Sequence, residues 1–385
     1  MMQKGHKMKI IRKTKNLVGH MRRMRVLKKR MHGQSMSCDS FLKKNPQPVL
    51  SEQEKREIDT YWESFGIRIS DYSWHQWLYG VTGIQDPRFI PKPIWMYLVI
   101  PYYNSAQFTK AYKDKNLFDR ILPEANFPET VLKRINGDFY DADGTYISSS
   151  DRDALRKRLL AQPGVICKNA VETGMGLNVS KCATTSAEEA DAVLDLLEKG
   201  KNSIAQKLVR QHPFFAQFNE SSVNIIRVNT WYHEGKVHIS TPVLRIGTPG
   251  FATDVCFIDG EEIIHMLGIT PDGYTRDRIY EMDGTWKPTE QVISPAYQRV
   301  PSWDKITEML QKCASKLPHF RVIGWDITVD ESGEPVVIEY NIDQPGPYPS
   351  QLTGGPMWGE LTDELLSFVK ENKNQNSLLP KEYRA

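Results

Sequence analysis

The sequence predicts an α+β protein, and three observations lead to this prediction. The chain has 385 residues, of which 40% are hydrophobic and 25% charged, a composition typical of a globular protein with at least one sizeable core. From residue 104 onwards, segments with helical periodicity alternate with strand-like, β-branched segments. Many strand-like segments follow one another without a helix between them, which favours α+β layers over a regular doubly wound sheet.

The chain begins with a strongly basic segment. Residues 1–33 contain twelve Lys or Arg and no acidic residue, although the whole chain has a net charge of only +3. Leu17, Met21, Met24 and Met31 recur at helical intervals, which predicts a basic amphipathic tail over residues 1–35. Such a tail can bind an anionic membrane surface, or it can simply be solvated, and both interpretations stay open. We expect no sequence-specific nucleic-acid partner.

Several features predict a cytoplasmic protein that the tail can attach peripherally to the inner face of the membrane. The longest strongly apolar run, residues 94–100, is too short to cross a bilayer as a helix. No apolar stretch typical of a secretory signal follows the basic segment. The cysteines are odd in number and scattered without a metal-binding spacing, which predicts reduced thiols: Cys38, Cys167, Cys182, Cys256 and Cys313.

Three further regions follow the tail. Residues 36–104 are rich in aromatic side chains, which predicts a packed accessory region, with a sugar-stacking surface as the alternative. A larger domain is predicted over residues 105–370 and a C-terminal tail over residues 371–385. The first half of the larger domain is predicted to contain helices at 105–122, 150–161 and 187–199 and strands at 130–135, 165–169 and 203–208, before a β-rich stretch at 223–264.

The most informative stretch is a predicted hairpin near the C-terminus. Two β-branched runs, 322–329 and 336–341, flank a Gly- and Pro-containing turn. If the six residues 330–335 form the loop, Val329 pairs with Val336 and Asp326 lies directly opposite Glu339. Asn341 then falls on the same face, two residues further on.

Two carboxylates directly opposite each other in a hairpin repel, and no Arg or Lys lies close to either in sequence. A hard divalent cation such as Mg²⁺ would neutralise Asp326 and Glu339, with Asn341 as a further oxygen ligand. A solvent-facing sheet or a slipped register remains the alternative. A second, weaker signal is Lys168 at the end of a buried strand, followed by a loop containing Gly174 and Gly176.

Taken together, these residues resemble the ATP-grasp superfamily and, in detail, the sugar-transfer-associated ATP-grasp family found with bacterial polysaccharide genes. The resemblance covers residues 114–358 and implies two α+β subdomains that clamp ATP, with an ATP lid near residues 150–210. It implies that Lys115 and Lys168 contact the nucleotide phosphates. It also implies that the loop with Glu172, Gly174 and Gly176 covers the triphosphate.

Further site residues follow from the same resemblance. Residues 203–208 resemble the hinge strand that reads adenine, which implies nucleotide contacts at Gln206, Lys207 and Leu208, with Gln206 where many relatives carry Glu. Stretches similar to the subfamily's own signature add His212 and Asn224. The family's magnesium triad is matched in identity and spacing by Asp326, Glu339 and Asn341.

The sequence departs from the family pattern at the oxyanion site. Many ATP-grasp ligases place an Arg just before the first acidic ligand, where this chain has Gly324 and Trp325. The resemblance therefore implies that Arg227, or in second place Arg245, holds the phosphate or the developing oxyanion. The loop 247–259 resembles the family's acceptor segment least.

The activity implied is that of an ATP- and Mg²⁺-dependent ligase. ATP would phosphorylate a carboxylate, and an amine would attack the resulting acyl phosphate. The family context suggests a sugar acid of a surface polysaccharide as the acceptor, either a small molecule or lipid-linked. A phosphotransferase acting on a sugar hydroxyl and a non-catalytic nucleotide-binding protein stay open as alternatives.

Overall fold

The computed structural model describes residue 29 and residues 38–171, 179–343 and 345–376, with the side chains of 372–376 left out. Almost all of the predicted basic tail, and the loop residues Glu172, Gly174 and Gly176, therefore lie outside the described residues. The chain divides into two compact units, one formed by residues 1–102 and 355–385 and the other by residues 103–354. None of the helices in the described ranges is long and apolar enough to cross a membrane.

The unit formed by residues 1–102 and 355–385 is helical where it is described. Ser51 begins its first long helix with a capping box, because its hydroxyl accepts from the Glu54 amide while the Glu54 carboxylate accepts from the Ser51 amide. Its indole rings are almost fully buried, as expected for a packed region. A sugar-stacking surface would instead need exposed rings. The helical segments are 38–44, Glu52–Ser64, Ser73–Thr82, the consecutive turns Lys92–Ile94, Trp95–Val99 and Ile100–Tyr103, and Leu361–Asn376.

The C-terminal residues of the chain belong to this unit. The Tyr61 hydroxyl donates to Asp363 over 2.7 Å, and the rings of Trp95 and Trp358 lie 6.4 Å apart. Residues 355–370 therefore pack with the N-terminal region, whereas the sequence analysis placed them in the domain 105–370. The predicted C-terminal tail begins inside a helix that continues to Asn376.

The second unit contains two antiparallel sheets. The first sheet has the order β3-β2-β1-β6-β4-β5. Helices Arg152–Leu160 and Ala187–Glu198 cover one face of it and bury Val165, Cys167 and Ala205. The strands are β1 (Thr130–Ile135), β2 (Asp138–Tyr140), β3 (Tyr146–Ile147), β4 (Gly164–Asn169), β5 (Ser180–Ala183) and β6 (Ser203–Lys207).

The other sheet of this unit has the order β14-β13-β12-β9-β7-β15-β16, with β8 also paired to β7. Helix Trp303–Ala314 covers one face, where Ile306 and Leu310 pack in the same core as Ile226 and Trp325. Its strands are β7 (Ile225–His233), β8 (Lys236–Ile239), β9 (Val243–Ile246), β12 (His265–Ile269), β13 (Thr275–Tyr280), β14 (Trp286–Pro288), β15 (Val322–Val329) and β16 (Pro335–Asn341), while β10 (Cys256–Ile258) and β11 (Glu261–Ile263) form a separate hairpin. The α+β fold predicted from the sequence is confirmed.

One predicted element is wrong. The single helix expected at 105–122 is three short pieces, Thr109–Tyr112, Lys115–Leu117 and Phe118–Ile121. The break occurs at Asp114, which has an extended backbone and whose carboxylate accepts from the Asn116 amide over 3.0 Å. Aspartate competes with the helix for backbone donors in this way, so it starts a new turn instead of continuing the old one. Three short helical segments complete the unit: Pro213–Ala216, Thr289–Gln291 and Tyr348–Gly354.

Candidate active site

Three adjacent strands carry a row of charged side chains on the sheet face opposite helix Trp303–Ala314. Glu339 on β16 pairs with Asp326 on β15, and Asp326 pairs in turn with Arg227 on β7. Because directly opposite residues in antiparallel strands share a face, all three side chains project to the same side. Asn341 and Arg245 join this face, since Asn341 lies two residues beyond Glu339 and Arg245 pairs with Ile225.

The predicted pairing of Asp326 with Glu339 is confirmed, although the predicted register at the turn is wrong by one residue. Val329 pairs with Pro335 rather than Val336, so the loop has the five residues 330–334. A bulge after Asp326 then leaves Ile338 as an extra residue, and the predicted register holds from Glu339 onwards.

Cations from distant parts of the chain neutralise the two carboxylates. The Arg227 guanidinium binds Asp326 in a bidentate manner, Nε to Oδ1 at 2.5 Å and Nη2 to Oδ2 at 2.8 Å. The Lys115 ammonium lies 3.0 Å from Oε1 of Glu339. The Asn341 amide donates to Oδ2 of Asp326 over 3.2 Å. The absence of a nearby cation in sequence therefore did not mean an unpaired carboxylate in the fold.

A second arginine extends this cluster towards the loop 247–259. The Nη2 atom of Arg245 lies 2.7 Å from Oδ2 of Asp254, whereas its Nη1 atom is 3.9 Å from Oδ1 of Asp326. Burial raises the pKa of Asp254, an effect that the Arg245 guanidinium partly offsets. The two arginines and two aspartates therefore alternate in a chain of ion pairs: Arg227, Asp326, Arg245 and Asp254.

The two predicted phosphate-contacting lysines both lie near Glu339. Lys115 is placed by its backbone amide, which donates to the Ala170 carbonyl over 2.9 Å just beyond the end of β4. Lys168 lies on β4, on the sheet face opposite helices Arg152–Leu160 and Ala187–Glu198, and only 9% of it is exposed. Burial lowers the pKa of Lys168 to about 8, and repulsion by Lys115 adds to this shift while Glu339 opposes it.

The predicted hinge borders an open cleft of about 730 Å³ between the two sheets. One side of the cleft is lined by Ile166, Lys181 and residues 207–211, which form the end of the predicted hinge and the chain just beyond it, and Val336 lines the other side. Gln206 lies directly opposite Ile166 in the sheet register. Its amide nitrogen donates to the Pro128 carbonyl over 3.0 Å, and its buried Oε1 atom accepts no hydrogen bond from the described residues.

The remaining predicted residues hold the backbone around this cleft. Lys207 pairs with Glu129 over 2.6 Å, and Leu208 lines the cleft. Nδ1 of His212 accepts from the Phe214 amide over 3.2 Å and so caps a short helix. Asn224 is fully buried and uses its amide group within the protein, donating to Gln211, Phe215 and Asn219 and accepting from the Gly247 amide.

Two features of the site were not predicted from the sequence: Asp254 as a site residue and Arg227 as the partner of Asp326. Asp254 lies in a loop without periodicity, so no pattern marks it. Arg227 and Asp326 are 99 positions apart, and their contact depends on the pairing of β7 with β15. Among the described residues, no group of three or more His, Cys, Asp or Glu is arranged to hold a metal ion. The predicted triad is not such a group, since its third member is the amide Asn341.

The fold is that of an ATP-grasp protein. A family model described as sugar-transfer associated ATP-grasp matches residues 98–362, and the chain belongs to this family. The family predicted from the sequence is therefore confirmed. None of the curated proteins is a significant match to the chain.

Among solved structures, the chain is similar to the ATP-grasp ligase PsnB complexed with its minimal precursor, with 15% identity and a TM-score of 0.39 over 69% of this chain and 64% of that one. For D-alanyl-alanine synthetase A from Vibrio cholerae, the identity is 12% and the TM-score 0.39 over 70% and 66% of the two chains. For D-cycloserine synthetase DcsG, the values are 12% and 0.36 over 71% and 70%. The first two matches span slightly less than two thirds of the known chains.

Proposed function

We propose that the protein is an ATP-dependent ligase that joins a carboxylate to an amine through an acyl phosphate. The observation that carries this proposal is the convergence of charged side chains from separate strands and loops in a chain of the ATP-grasp family, whose two sheets also border an open cleft of about 730 Å³. Four cations exceed three carboxylates by one formal charge, which favours a polyanion such as a nucleoside triphosphate. They are Lys115, Lys168, Arg227 and Arg245 against Asp254, Asp326 and Glu339.

Residues adjoining the cleft fit ATP, since Gln206 pairs with the cleft-lining Ile166 and Lys168 lies two residues beyond Ile166 on the same sheet face. The unpartnered Oε1 atom of Gln206 is a buried acceptor suited to an exocyclic amino group, with Lys207 and Leu208 as the adjoining hinge. Lys115 and Lys168 would bind the phosphates. Glu172, Gly174 and Gly176 are proposed to cover the triphosphate, on the strength of the sequence alone. His212 and Asn224 would act indirectly, by holding the hinge and its neighbouring turn.

The residues also fit Mg²⁺. Asp326, Glu339 and Asn341 offer only oxygen ligands, which hard cations prefer, and the Glu339 side chain is 25% exposed beside the nearly buried Asp326. When bound there, Mg²⁺ would neutralise charge on the triphosphate and on the phosphoryl group in transfer.

The cationic side chains of the protein would position the reacting groups and stabilise the charge that develops on them. Lys168 and Lys115 would hold the transferring phosphoryl group, while Arg227 and Arg245 would stabilise negative charge on the acyl phosphate and on the oxyanion formed by amine attack. Buried, preoriented cations are effective here because they need little reorganisation as charge develops. No side chain of the protein has to act as a covalent nucleophile, because the substrate carboxylate attacks ATP itself and the amine then displaces phosphate from the acyl phosphate.

We propose a sugar acid of a surface polysaccharide as the carboxylate substrate, either free or lipid-linked. The family description supports a link to sugar transfer. The excess of Lys and Arg in residues 1–33 supports a peripheral location at an anionic membrane face, where lipid-linked precursors lie.

The test is ATP-dependent phosphate release with Mg²⁺ across a panel of uronic acids and amines, with products identified by mass. We expect release that requires both a carboxylate and an amine and that is lost in Glu339→Ala. Glu334→Ala is the matched control, because Glu334 lies in the turn of the same hairpin and pairs with the surface residue Lys305. A product that gains a phosphoryl group without phosphate release would instead identify a kinase, and ATP binding without turnover would contradict the ligase proposal.

A further inference from the structure

Arg245 lies between two carboxylates that compete for it. Its side chain is only 10% exposed, so bulk water solvates little of its charge. One guanidinium nitrogen is 2.7 Å from Asp254, and another is 3.9 Å from Asp326. The first distance is that of a close ion pair, and the second is that of a loose one.

The loop that carries Asp254 is held at its beginning. The Gly247 amide donates to the Asn224 side chain over 3.1 Å, and the Gly250 amide donates to the Ser221 hydroxyl over 3.0 Å. A Cβ atom at Gly247 would lie 2.0 Å from the Ser222 hydroxyl oxygen, so the loop passes this point too closely for a side chain. Asp254 is therefore presented to Arg245 by an anchored segment.

We propose that Asp254 is a positioning residue that draws Arg245 away from Asp326 and thereby keeps Asp326 able to bind a divalent cation. This inference rests on the metal role proposed above for Asp326. Asp254 itself would touch neither the metal nor the nucleotide.

The physical reason is the charge balance at Asp326. This carboxylate already accepts two hydrogen bonds from Arg227 and one from Asn341. If Asp254 loses its charge, the nearest remaining carboxylate for the buried Arg245 is Asp326. A second guanidinium at hydrogen-bond distance would then compete with the metal for the same oxygen atoms, and this competition is strong at a nearly buried site.

The test measures Mn²⁺ binding by the EPR signal of the free ion, at a fixed concentration of the ATP analogue AMP-PNP and with a nucleotide-only titration as baseline. The full-length protein is compared with Asp254→Asn, Arg245→Gln and the double variant. We expect Asp254→Asn to weaken Mn²⁺ binding by about tenfold. We expect Arg245→Gln to bind at least as tightly as the wild type, and Asp254→Asn to have no further effect in the Arg245→Gln background.

The controls separate a positioning role from a structural one. Asp254→Glu keeps the charge and should restore most of the affinity. Asp141→Asn breaks an ion pair between the turn after β2 and Arg158 on helix Arg152–Leu160, and it should leave Mn²⁺ binding unchanged. Thermal unfolding of each variant, followed by circular dichroism, verifies that it is folded at the temperature of the titration.

Wild-type affinity in Asp254→Asn would overturn the inference. So would an equal loss in the wild-type and Arg245→Gln backgrounds, because Asp254 would then act through its own field rather than through Arg245. The metal proposal fails separately and visibly if Asp326→Ala and Glu339→Ala bind Mn²⁺ like the wild type, and the inference falls with it.

Discussion

The lowered pKa of Lys168 predicts that ATP affinity falls as the pH rises from 7 to 9. Burial and the nearby Lys115 lower this pKa to about 8 in the free protein. A bound triphosphate stabilises the charged ammonium and should return the pKa to its ordinary value of about 10.4. Above pH 8 the free protein must therefore take up a proton before it binds ATP with full affinity.

The size of the effect follows from the two pKa values. At pH 7 about nine tenths of the free protein carries a charged Lys168, whereas at pH 9 only about one tenth does, so the dissociation constant for MgATP should rise roughly tenfold. At pH 8, binding should take up about half a proton. A fluorescent ATP analogue measures the affinity, and calorimetry in two buffers of different ionisation enthalpy measures the proton uptake.

Lys168→Arg is the matched control, because a guanidinium stays charged throughout this range. Its affinity should depend on pH only through other groups, such as the nucleotide itself. If the MgATP affinities of the wild type and Lys168→Arg show the same pH dependence, or if the wild type takes up no proton at pH 8, then Lys168 does not have the proposed contact with the phosphates.

Three further predictions concern the frame of the site and the tail. Asn224→Ala removes the four hydrogen bonds of the Asn224 side chain and should lower the free energy of unfolding by about 3 kcal/mol in urea titrations. Gly247→Ala should destabilise the protein in the same assay, since its methyl group would overlap the Ser222 hydroxyl. Removing residues 1–33 should abolish binding to anionic phosphatidylglycerol vesicles and leave ATP hydrolysis intact, and undiminished vesicle binding would contradict the membrane role of the tail.

Local spacing predicted the central part of the site because hairpin geometry is local. Asp326 and Glu339 were expected to face each other from the length of the turn alone, and they do. The route to this result was partly wrong, since the turn is one residue shorter and a bulge at Ile338 restores the register. A bulge has no reliable sequence signature, so the pairing could be predicted while the backbone path to it could not.

The cations of the site could not be predicted by the same reasoning. Lys168 gave a weak signal at the end of its strand and Lys115 was identified only by family resemblance, but the contact of Lys115 with Glu339 depends on how two sheets are arranged in the folded chain. Asp254 had no signal at all, because a single acidic residue in an irregular loop looks like any solvated side chain. Long-range packing determines the contact of Lys115 with Glu339, and the path of an irregular loop determines the contact of Asp254 with Arg245. A single sequence encodes neither in a readable pattern.

These contacts change what a pair of facing carboxylates implies. Mg²⁺ was predicted from the sequence on the assumption that a bound cation must offset the repulsion between Asp326 and Glu339. In the fold, Arg227 and Lys115 already neutralise both groups. Repulsion alone is therefore no evidence for a metal, and the proposal rests instead on family membership and on the all-oxygen ligand set. A divalent cation that binds here must therefore displace Arg227 and Lys115 from the carboxylates, or share the carboxylates with them. The positions of these side-chain cations should for this reason control the affinity for the metal.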